Sequence, residues 1–304
     1  MIYTVTLNPS IDYIMRPKTV EKGEVNRSQE EETFAGGKGI NVSRVLKRLG
    51  SKSVALGFLG GFTGEFIEKS LKNEQILCDF TQVKEDTRIN VKIKANEETE
   101  INGSGPNVTK SELLTFLSKL DELNERDVVV LAGSVPKNMS ATIYKKMIEK
   151  IKERRANFVL DTEGEVLLQS LASEPLLVKP NKSELEGMFG IRLSTKEEII
   201  KSGQELLQRG AKNVIVSMAG DGAFLITQEG VYFAPAIKGA VKNSVGAGDS
   251  MVAGFLSEIT QGKTVLEAFE MGVASGTATA FSDDLAEKAY VLEKKSEVAI
   301  EKII

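Results

Sequence analysis

Residues 243–255 read NSVGAGDSMVAGF. Two glycines flank one alanine, an aspartate follows at once, and Met251, Val252, Phe255, Leu256 and Ile259 then recur at helical spacing. The pattern predicts a glycine turn leading into a helix that starts near Asp249. First-turn N–H groups lack carbonyl partners and sit at the positive end of the helix dipole. Glycine at 246 and 248 lets the backbone approach a ligand closely, so the turn is an anion site suited to phosphate. Asp249 is the anomaly. A carboxylate beside a phosphate site is unfavourable unless it takes part in the chemistry, although alone it could simply favour the dipole, by about 0.3–1 kcal/mol.

The chain of 304 residues can bury a sizeable core, and 41% hydrophobic with 27% charged residues is ordinary globular composition. A single cysteine, Cys78, excludes an intramolecular disulfide and points to a reducing, cytoplasmic setting. No apolar run approaches the ~20 residues of a membrane span. The opening MIYTVTLNPS has no basic n-region and reads as a first strand. A net charge of −4 gives no general attraction for nucleic acid or anionic membrane, so an anionic substrate must be held by local groups. There is no histidine and no tryptophan. Ser-His-Asp hydrolysis, Cys-His chemistry and His-ligated zinc are therefore excluded, and a general base must be Asp, Glu, Lys, Tyr or Cys.

Apolar runs at 3–8, 53–60, 127–133, 157–161, 175–181 and 213–219 read as strands buried on both faces. Helical patterns at 38–49, 110–121, 138–154 and 196–209 lie between them; in the first, Val42, Val45, Leu46 and Leu49 make one apolar face. This order predicts an α/β fold with a largely parallel sheet covered on both sides. Residues 88–95, RINVKIKA, break the rhythm: Ile89, Val91, Ile93 and Ala95 alternate with Asn90, Lys92 and Lys94. With the polar, extended segment 12–33 they suggest a separate small sheet, whose apolar face a second subunit would cover.

Other phosphate motifs fail. QGKT (261–264) lacks the earlier glycine of a Walker A loop, since Ser257 stands there, and GGKGIN (36–41) lacks the third glycine of a dinucleotide fingerprint. Further candidates lie at predicted strand ends and turns. In FAGGKGINVSRVLKRLG (34–50), Gly36, Gly37 and Gly39 precede a helix carrying Lys38 and Asn41, or form only a flexible loop. Asp12 in TLNPSID could accept two hydroxyls or be a turn residue. Asn181 and Glu184 in KPNKSE would share a helical face, with Glu184 able to hold a water on Mg²⁺. SMAGDGA (217–223) could be a hairpin, and Arg88 has the planar fork that suits phosphate.

Taken together and in order, these segments resemble the ribokinase-like, PfkB-type sugar kinases. NSVGAGDSMVAGF is similar to their C-terminal signature and GGKGINVSRVLKRLG to their N-terminal one, while NPSID, TRINVKI, GSVP, KPNKSE and SMAGDGA fall in the family order. The resemblance covers essentially the whole chain and is nearest to the 1-phosphofructokinase branch, with tagatose-6-phosphate kinases next. It implies a three-layer α/β/α fold with a mostly parallel central sheet, as one domain over 1–304. A small β-sheet lid would be formed from about 12–33 and 87–104.

By the same resemblance, Asp249 is the catalytic base and Gly246, Ala247 and Gly248 the anion hole. Asp12, Gly36, Gly37, Lys38 and Asn41 grip the sugar. Arg88, with Asn26, Arg27, Lys38 and Ser134, binds the phosphate already on it. Ser217, Gly220, Asp221 and Gly222 line the ATP site, with Lys179, Asn181 and Gly248 beside the nucleotide and Glu184 tied to Mg²⁺ through water. The implied reaction takes ATP and a phosphorylated ketohexose, fructose 1-phosphate, to ADP and the 1,6-bisphosphate, in a homodimer joined through the lid. Asn243 and Ser244 stand where the family often has Asp-Thr, a position associated with a monovalent cation such as K⁺. A non-catalytic sensor on the same fold is the competing reading, against which an intact Asp249 and glycine turn argue.

Overall fold

Apolar runs alternate with amphipathic ones, and the computed structural model, which describes residues 1–140 and 142–304, stacks them in layers. The chain begins with β1 (Ile2–Thr6), β2 (Ser10–Pro17), β3 (Ser28–Gly36), α1 (Lys38–Leu49), β4 (Ser53–Leu59) and α2 (Gly61–Asn73). It continues with β5 (Leu77–Cys78), β6 (Thr81–Gln82), β7 (Arg88–Lys94), β8 (Glu98–Asn102), α3 (Lys110–Lys119), β9 (Val128–Ala132) and α4 (Thr142–Glu153). Then come β10 (Asn157–Asp161), α5 (Gly164–Ser170), β11 (Leu177–Val178), α6 (Lys182–Phe189), α7 (Lys196–Gln208) and β12 (Asn213–Ser217). The last elements are β13 (Ala223–Thr227), β14 (Gly230–Ala234), α8 (Ala247–Ile259), α9 (Val265–Ala280), α10 (Lys288–Lys295) and β15 (Glu301–Lys302).

The main sheet has eleven strands in the order β15-β14-β13-β12-β11-β10-β9-β1-β4-β5, with β6 beside β4. Neighbours from β4 to β12 are parallel, and β12 to β15 form an antiparallel edge. One face packs on α3 to α7, through Phe116, Met147, Leu167, Leu185 and Leu206; the other packs on α1, α8, α9 and α10, through Leu46, Val252, Phe255, Phe269 and Val291. Strands sandwiched in this way must be apolar on both sides, and every residue of β9 is buried.

Two local expectations shift. The strand expected over 175–181 shrinks to Leu177–Val178, because Pro175 and Pro180 cannot donate to a ladder. The helix expected from 138 begins at Thr142, after turns closed by Met139 N to Pro136 O and Ile143 N to Ser140 O; Ala141, inside the expected range, lies outside the described residues.

The second sheet runs β3-β2-β7-β8 and spans Ser10–Gly36 and Arg88–Asn102, slightly wider and slightly narrower than the two expected segments. Its faces are inverted relative to an ordinary half-buried sheet. Asn90 and Lys92 are buried, whereas Ile89 is 40% and Ile101 60% exposed. The polar face is turned inward, onto the place where the main sheet's strands end.

Candidate active site

Ligands of parallel α/β sheets sit beyond the carboxyl ends of the strands. There the N-termini of α1 and α8 converge. Gly246 holds a left-handed conformation (φ 78°) that a side chain would resist, and α8 starts directly after it at Ala247. Asp249, the third helical residue, is 6% exposed, and Asn41 Nδ2 on α1 donates to its Oδ2 at 2.8 Å. The glycine turn read from the sequence therefore does open a helix. Its carboxylate is buried rather than solvated, unlike one that merely favours the dipole.

Three more charged groups complete the centre. Asp161, the last residue of β10, is 1% exposed, and its Oδ1 lies 3.3 Å from Lys179 Nζ and 3.6 Å from Lys38 Nζ. Its Oδ2 is buried without a hydrogen-bond partner. Lys179 also overhangs the turn: a Cβ on Gly248 would lie 3.0 Å from its Nζ. Burial, reinforced by the charge of Asp161, pushes the Asp249 carboxyl up to about 7, against the opposing pull of Asn41, Lys38 and Lys179. Burial acts the same way on Asp161, but Lys179 and Lys38 outweigh it and hold that group below the ordinary carboxylate value. Two neighbouring carboxyls thus part company: one stays a counter-ion and the other titrates near neutrality.

Asp12 faces the same space from β2. Ser10 Oγ and Asn90 Nδ2 donate to its Oδ1 at 2.8 and 3.2 Å, and Lys92 Nζ lies 3.3 Å from its Oδ2. Gly36 is needed for close approach, since a Cβ there would lie 2.6 Å from the Asp12 carboxylate. Gly37 is the N-cap of α1, so the second glycine cluster is an ordered helix start and not a flexible loop. Arg88 differs from the free fork expected. Its Nε and Nη1 donate to the carbonyls of Asn8 and Gly103, at 3.1 Å each, so that both N–H groups of Nη2 and the second of Nη1 are the donors not already used.

The remaining candidates are more dispersed. Ser134 is exposed just after β9, beside Gly133, which lies against Lys38. Arg27 is not brought to this centre by its own chain. It precedes β3 while Gly36 ends that strand, and ~3.3 Å per residue places it roughly 30 Å away. Asn26 spends its side chain on its own turn, bonding Glu21 and Glu24.

On the nucleotide side, Asn181 and Glu184 form a reciprocal cap of α6: Glu184 N donates to Asn181 Oδ1 and Asn181 N to Glu184 Oε2, both at 2.8 Å. Asn181 bridges to Ser217. Gly220, Asp221 and Gly222 make the tight turn of the β12–β13 hairpin, with Met218 N bonded to Gly222 O. Among the described residues no three acidic, His or Cys side chains cluster as a metal cage. Asp161 and Glu184 are hard oxygen donors, and the acidic charge of both bears on Lys38. That set fits Mg²⁺ carried largely by water and phosphate oxygens.

At the turn of 243–245, Asn243 Nδ2 donates to Asp283 O at 3.3 Å, and the N–H groups of Lys242 and Asn243 both donate to Ala280 O. Arg48 donates to Leu285 O, and Asp283 and Asp284 are paired with Lys242 and with Arg44 and Arg48. A monovalent cation here would have to displace donors already in place.

Asp161, Asn90 and Lys92 are the residues sequence reasoning missed. Asp161 had a usable signal, a carboxylate at the carboxyl end of a predicted parallel strand. Asn90 and Lys92 form one face of an alternating strand, but alternation does not say which face turns inward.

A buried titratable carboxylate at a helix N-terminus, two lysines and a second carboxylate beside it, and a small sheet turning its polar face inward are a set of groups suited to transferring a phosphoryl group to a hydroxyl. The chain belongs to the pfkB family of carbohydrate kinases, whose profile matches residues 5–288. It is 50% identical over 303 residues to the 1-phosphofructokinase of Bacillus subtilis strain 168, covering 100% of each chain. It is 36% identical over 301 residues to the D-tagatose-1-phosphate kinase of Bacillus licheniformis, covering 99% of each. This tagatose kinase is named for the 1-phosphate, where the sequence reading set the 6-phosphate second. Among solved structures, phosphofructokinase-2 from Escherichia coli in complex with fructose-6-phosphate superposes with a TM-score of 0.91 at 26% identity, over 97% of this chain and 98% of that one. The same enzyme has been solved with potassium and as a tetrameric inhibited form. The three-layer fold expected from the sequence is the fold observed.

Proposed function

We propose that the protein transfers the γ-phosphoryl group of ATP to the 6-hydroxyl of fructose 1-phosphate, giving ADP and fructose 1,6-bisphosphate. The observation that carries the reaction is Asp249, a buried carboxyl pushed up to about 7 and standing in the first turn of α8. The substrate rests on the full-length identity to a 1-phosphofructokinase.

In this reading the sugar lies between Asp12 on β2 and Asn41 on α1, with its 6-hydroxyl at Asp249. Asp249 accepts the hydroxyl proton as the oxygen forms its bond to the γ-phosphorus and the bond from that phosphorus to the β–γ bridging oxygen breaks, the electron pair leaving with ADP. First-turn N–H groups of Gly248 and Asp249, with Lys179 above them, stabilise charge developing on the phosphoryl oxygens. Mg²⁺ bound with ATP supplies further charge neutralisation, and Asp161 and Glu184 are the carboxylates that would hold it, Glu184 through water. Lys38 braces Asp161, and Arg88 presents Nη2 to the phosphate at C1. A sensor would have no use for a base tuned in this way.

We also infer that the small sheet is the lid of a single kinase domain and that two copies pair through its apolar face. Ile89 and Ile101 stand exposed there while the polar face is buried. In such a dimer Arg27 would serve the partner's site. Sedimentation of wild type against Ile89→Glu with Ile101→Glu tests this: the double variant should be monomeric, and a wild type that is itself monomeric at micromolar concentration removes the lid interface.

The activity is tested by coupled ADP release with Mg-ATP and five acceptors: fructose 1-phosphate, tagatose 1-phosphate, fructose 6-phosphate, tagatose 6-phosphate and fructose. The highest kcat/KM should be with fructose 1-phosphate. Preference for tagatose 1-phosphate, its C4 epimer, would keep base and fold and change the substrate, as would preference for the 6-phosphate. No turnover with any acceptor would remove the kinase reading in favour of a sensor. The same assay in potassium and in tetramethylammonium decides whether a monovalent cation enters by displacing Asn243.

A further inference from the structure

The Asp12 carboxylate is held from behind in an uneven way. Ser10 and Asn90 both donate to Oδ1, and Asn90 also donates to Ser10 Oγ at 3.0 Å. Two donors on one oxygen make a pivot, not a clamp, because rotation about the bond to a carboxyl group is soft and roughly two-fold. Oδ2 has a different neighbour. Lys92 Nζ lies 3.3 Å from it, on a side chain that is 6% exposed as a residue. Among the described residues only Lys92 and Lys179 are lysines buried this deeply. Ordering and desolvating a lysine is unfavourable, so an arrangement that keeps one buried calls for a strong partner. The alternative partner, Glu100 on the adjacent strand, is 3.9 Å away and 42% exposed, and is the weaker of the two. Lys92 also lines the cavity shared by Asp12, Phe34 and Asn41.

We propose that Lys92 is a positioning residue for sugar recognition: it pins the second oxygen of Asp12, so that the carboxylate's remaining lone pairs are aimed at the sugar hydroxyls. The inference rests on the reading above that Asp12 grips the sugar. β7 makes the arrangement possible. Its parallel register with β2 sets Asn90 opposite Asp12 and Lys92 one pleat further on the same face, so one strand supplies both the pivot and the pin.

The test is steady-state kinetics on Lys92→Met, Lys92→Arg, Asp12→Asn and the double variant of Lys92→Met with Asp12→Asn. Lys92→Met should raise KM for fructose 1-phosphate by ~10–100-fold, the usual effect of removing a charged partner, with KM for ATP and kcat changed by less than about threefold. Lys92→Arg, which keeps the charge, should recover most of the loss. In the Asp12→Asn background, Lys92→Met should add less than about threefold, because residues acting through one another are not additive. A purely structural lysine would instead lower thermal stability or active fraction and leave the sugar-phosphate KM alone. A KM within about twofold of wild type in Lys92→Met, alongside a raised KM in Asp12→Asn, overturns the proposal and leaves the site reading standing. An unchanged KM in Asp12→Asn overturns both. Should Lys92→Met not fold, Lys92→Gln, neutral and of similar reach, gives the same readings.

Discussion

Asn41 and Asp249 are 208 positions apart and share a 2.8 Å hydrogen bond, donated by the Asn41 amide to one oxygen of the buried carboxylate. The bond joins the first turn of α1 to the first turn of α8. It orients the carboxylate and leaves its other oxygen outside that bond, the oxygen that would take the hydroxyl proton in the reaction proposed above.

Asp249→Asn keeps the shape and an acceptor for Asn41 but removes the base. We expect kcat to fall by ~10²–10⁴-fold, with little change in the KM of either substrate. Stopped-flow or coupled assays with Mg-ATP and fructose 1-phosphate measure it. Activity within a few-fold of wild type would remove Asp249 from the base role.

The same carboxyl sets a pH dependence. Burial and Asp161 push it up to about 7, so the free enzyme gains its base as pH rises, and kcat/KM should climb through an inflection near 7. Asn41 favours the charged form, so Asn41→Ala should move that inflection upward. A flat profile from pH 6 to 8 would contradict the assignment. Stability runs the other way. A carboxyl whose folded value lies above its ordinary 3.8 contributes stability that is complete below that value and is lost as pH rises through about 7. Asp249→Asn should therefore melt higher than wild type at pH 8, and the advantage should shrink as pH falls through that window.

Arg88→Ala should raise KM for the sugar phosphate by ~10-fold or more while leaving the ATP KM unchanged, as loss of a charged hydrogen bond predicts. It should also lower Tm, because the carbonyls of Asn8 and Gly103 lose their donor. A lower Tm with an unchanged KM would make Arg88 a brace of the small sheet and nothing more.

Gly246→Ala tests the anion turn. A side chain at φ 78° costs about 1–2 kcal/mol, and its Cβ would lie 2.7 Å from Leu285 Cδ2. We expect a modest loss of stability and a larger loss of kcat, since the first-turn N–H groups would be displaced. Equal kcat in the two proteins, measured at a temperature where both are folded, would show that the turn tolerates the shift.

Much of the fold was legible because its signals are local. The helix expected over 38–49 is α1, residue for residue, as an apolar stripe between two glycines dictates. The strand expected over 157–161 is β10. The glycine turn before α8 could be read for the same reason: Gly246, Gly248 and the helix start all lie within a few residues. Less legible was the meaning of RINVKIKA. Its alternation gives two faces but not which of them turns inward; here Asn90 and Lys92 are inside because the small sheet leans its polar face over the strand ends.

Sequence by itself determined most of the elements, the glycine turn that opens α8 and the absence of histidine, because each is a property of the chain or of neighbours a few residues apart. Tertiary structure alone decided that Asp249 would titrate near neutrality. That property comes from exclusion of water and from Asp161, brought in by the end of a different strand with Lys38 and Lys179 both beside its Oδ1. Parallel strands deliver such groups to one edge whatever the chain length between them. Desolvation and Coulomb forces act over ångströms in space, not positions in sequence.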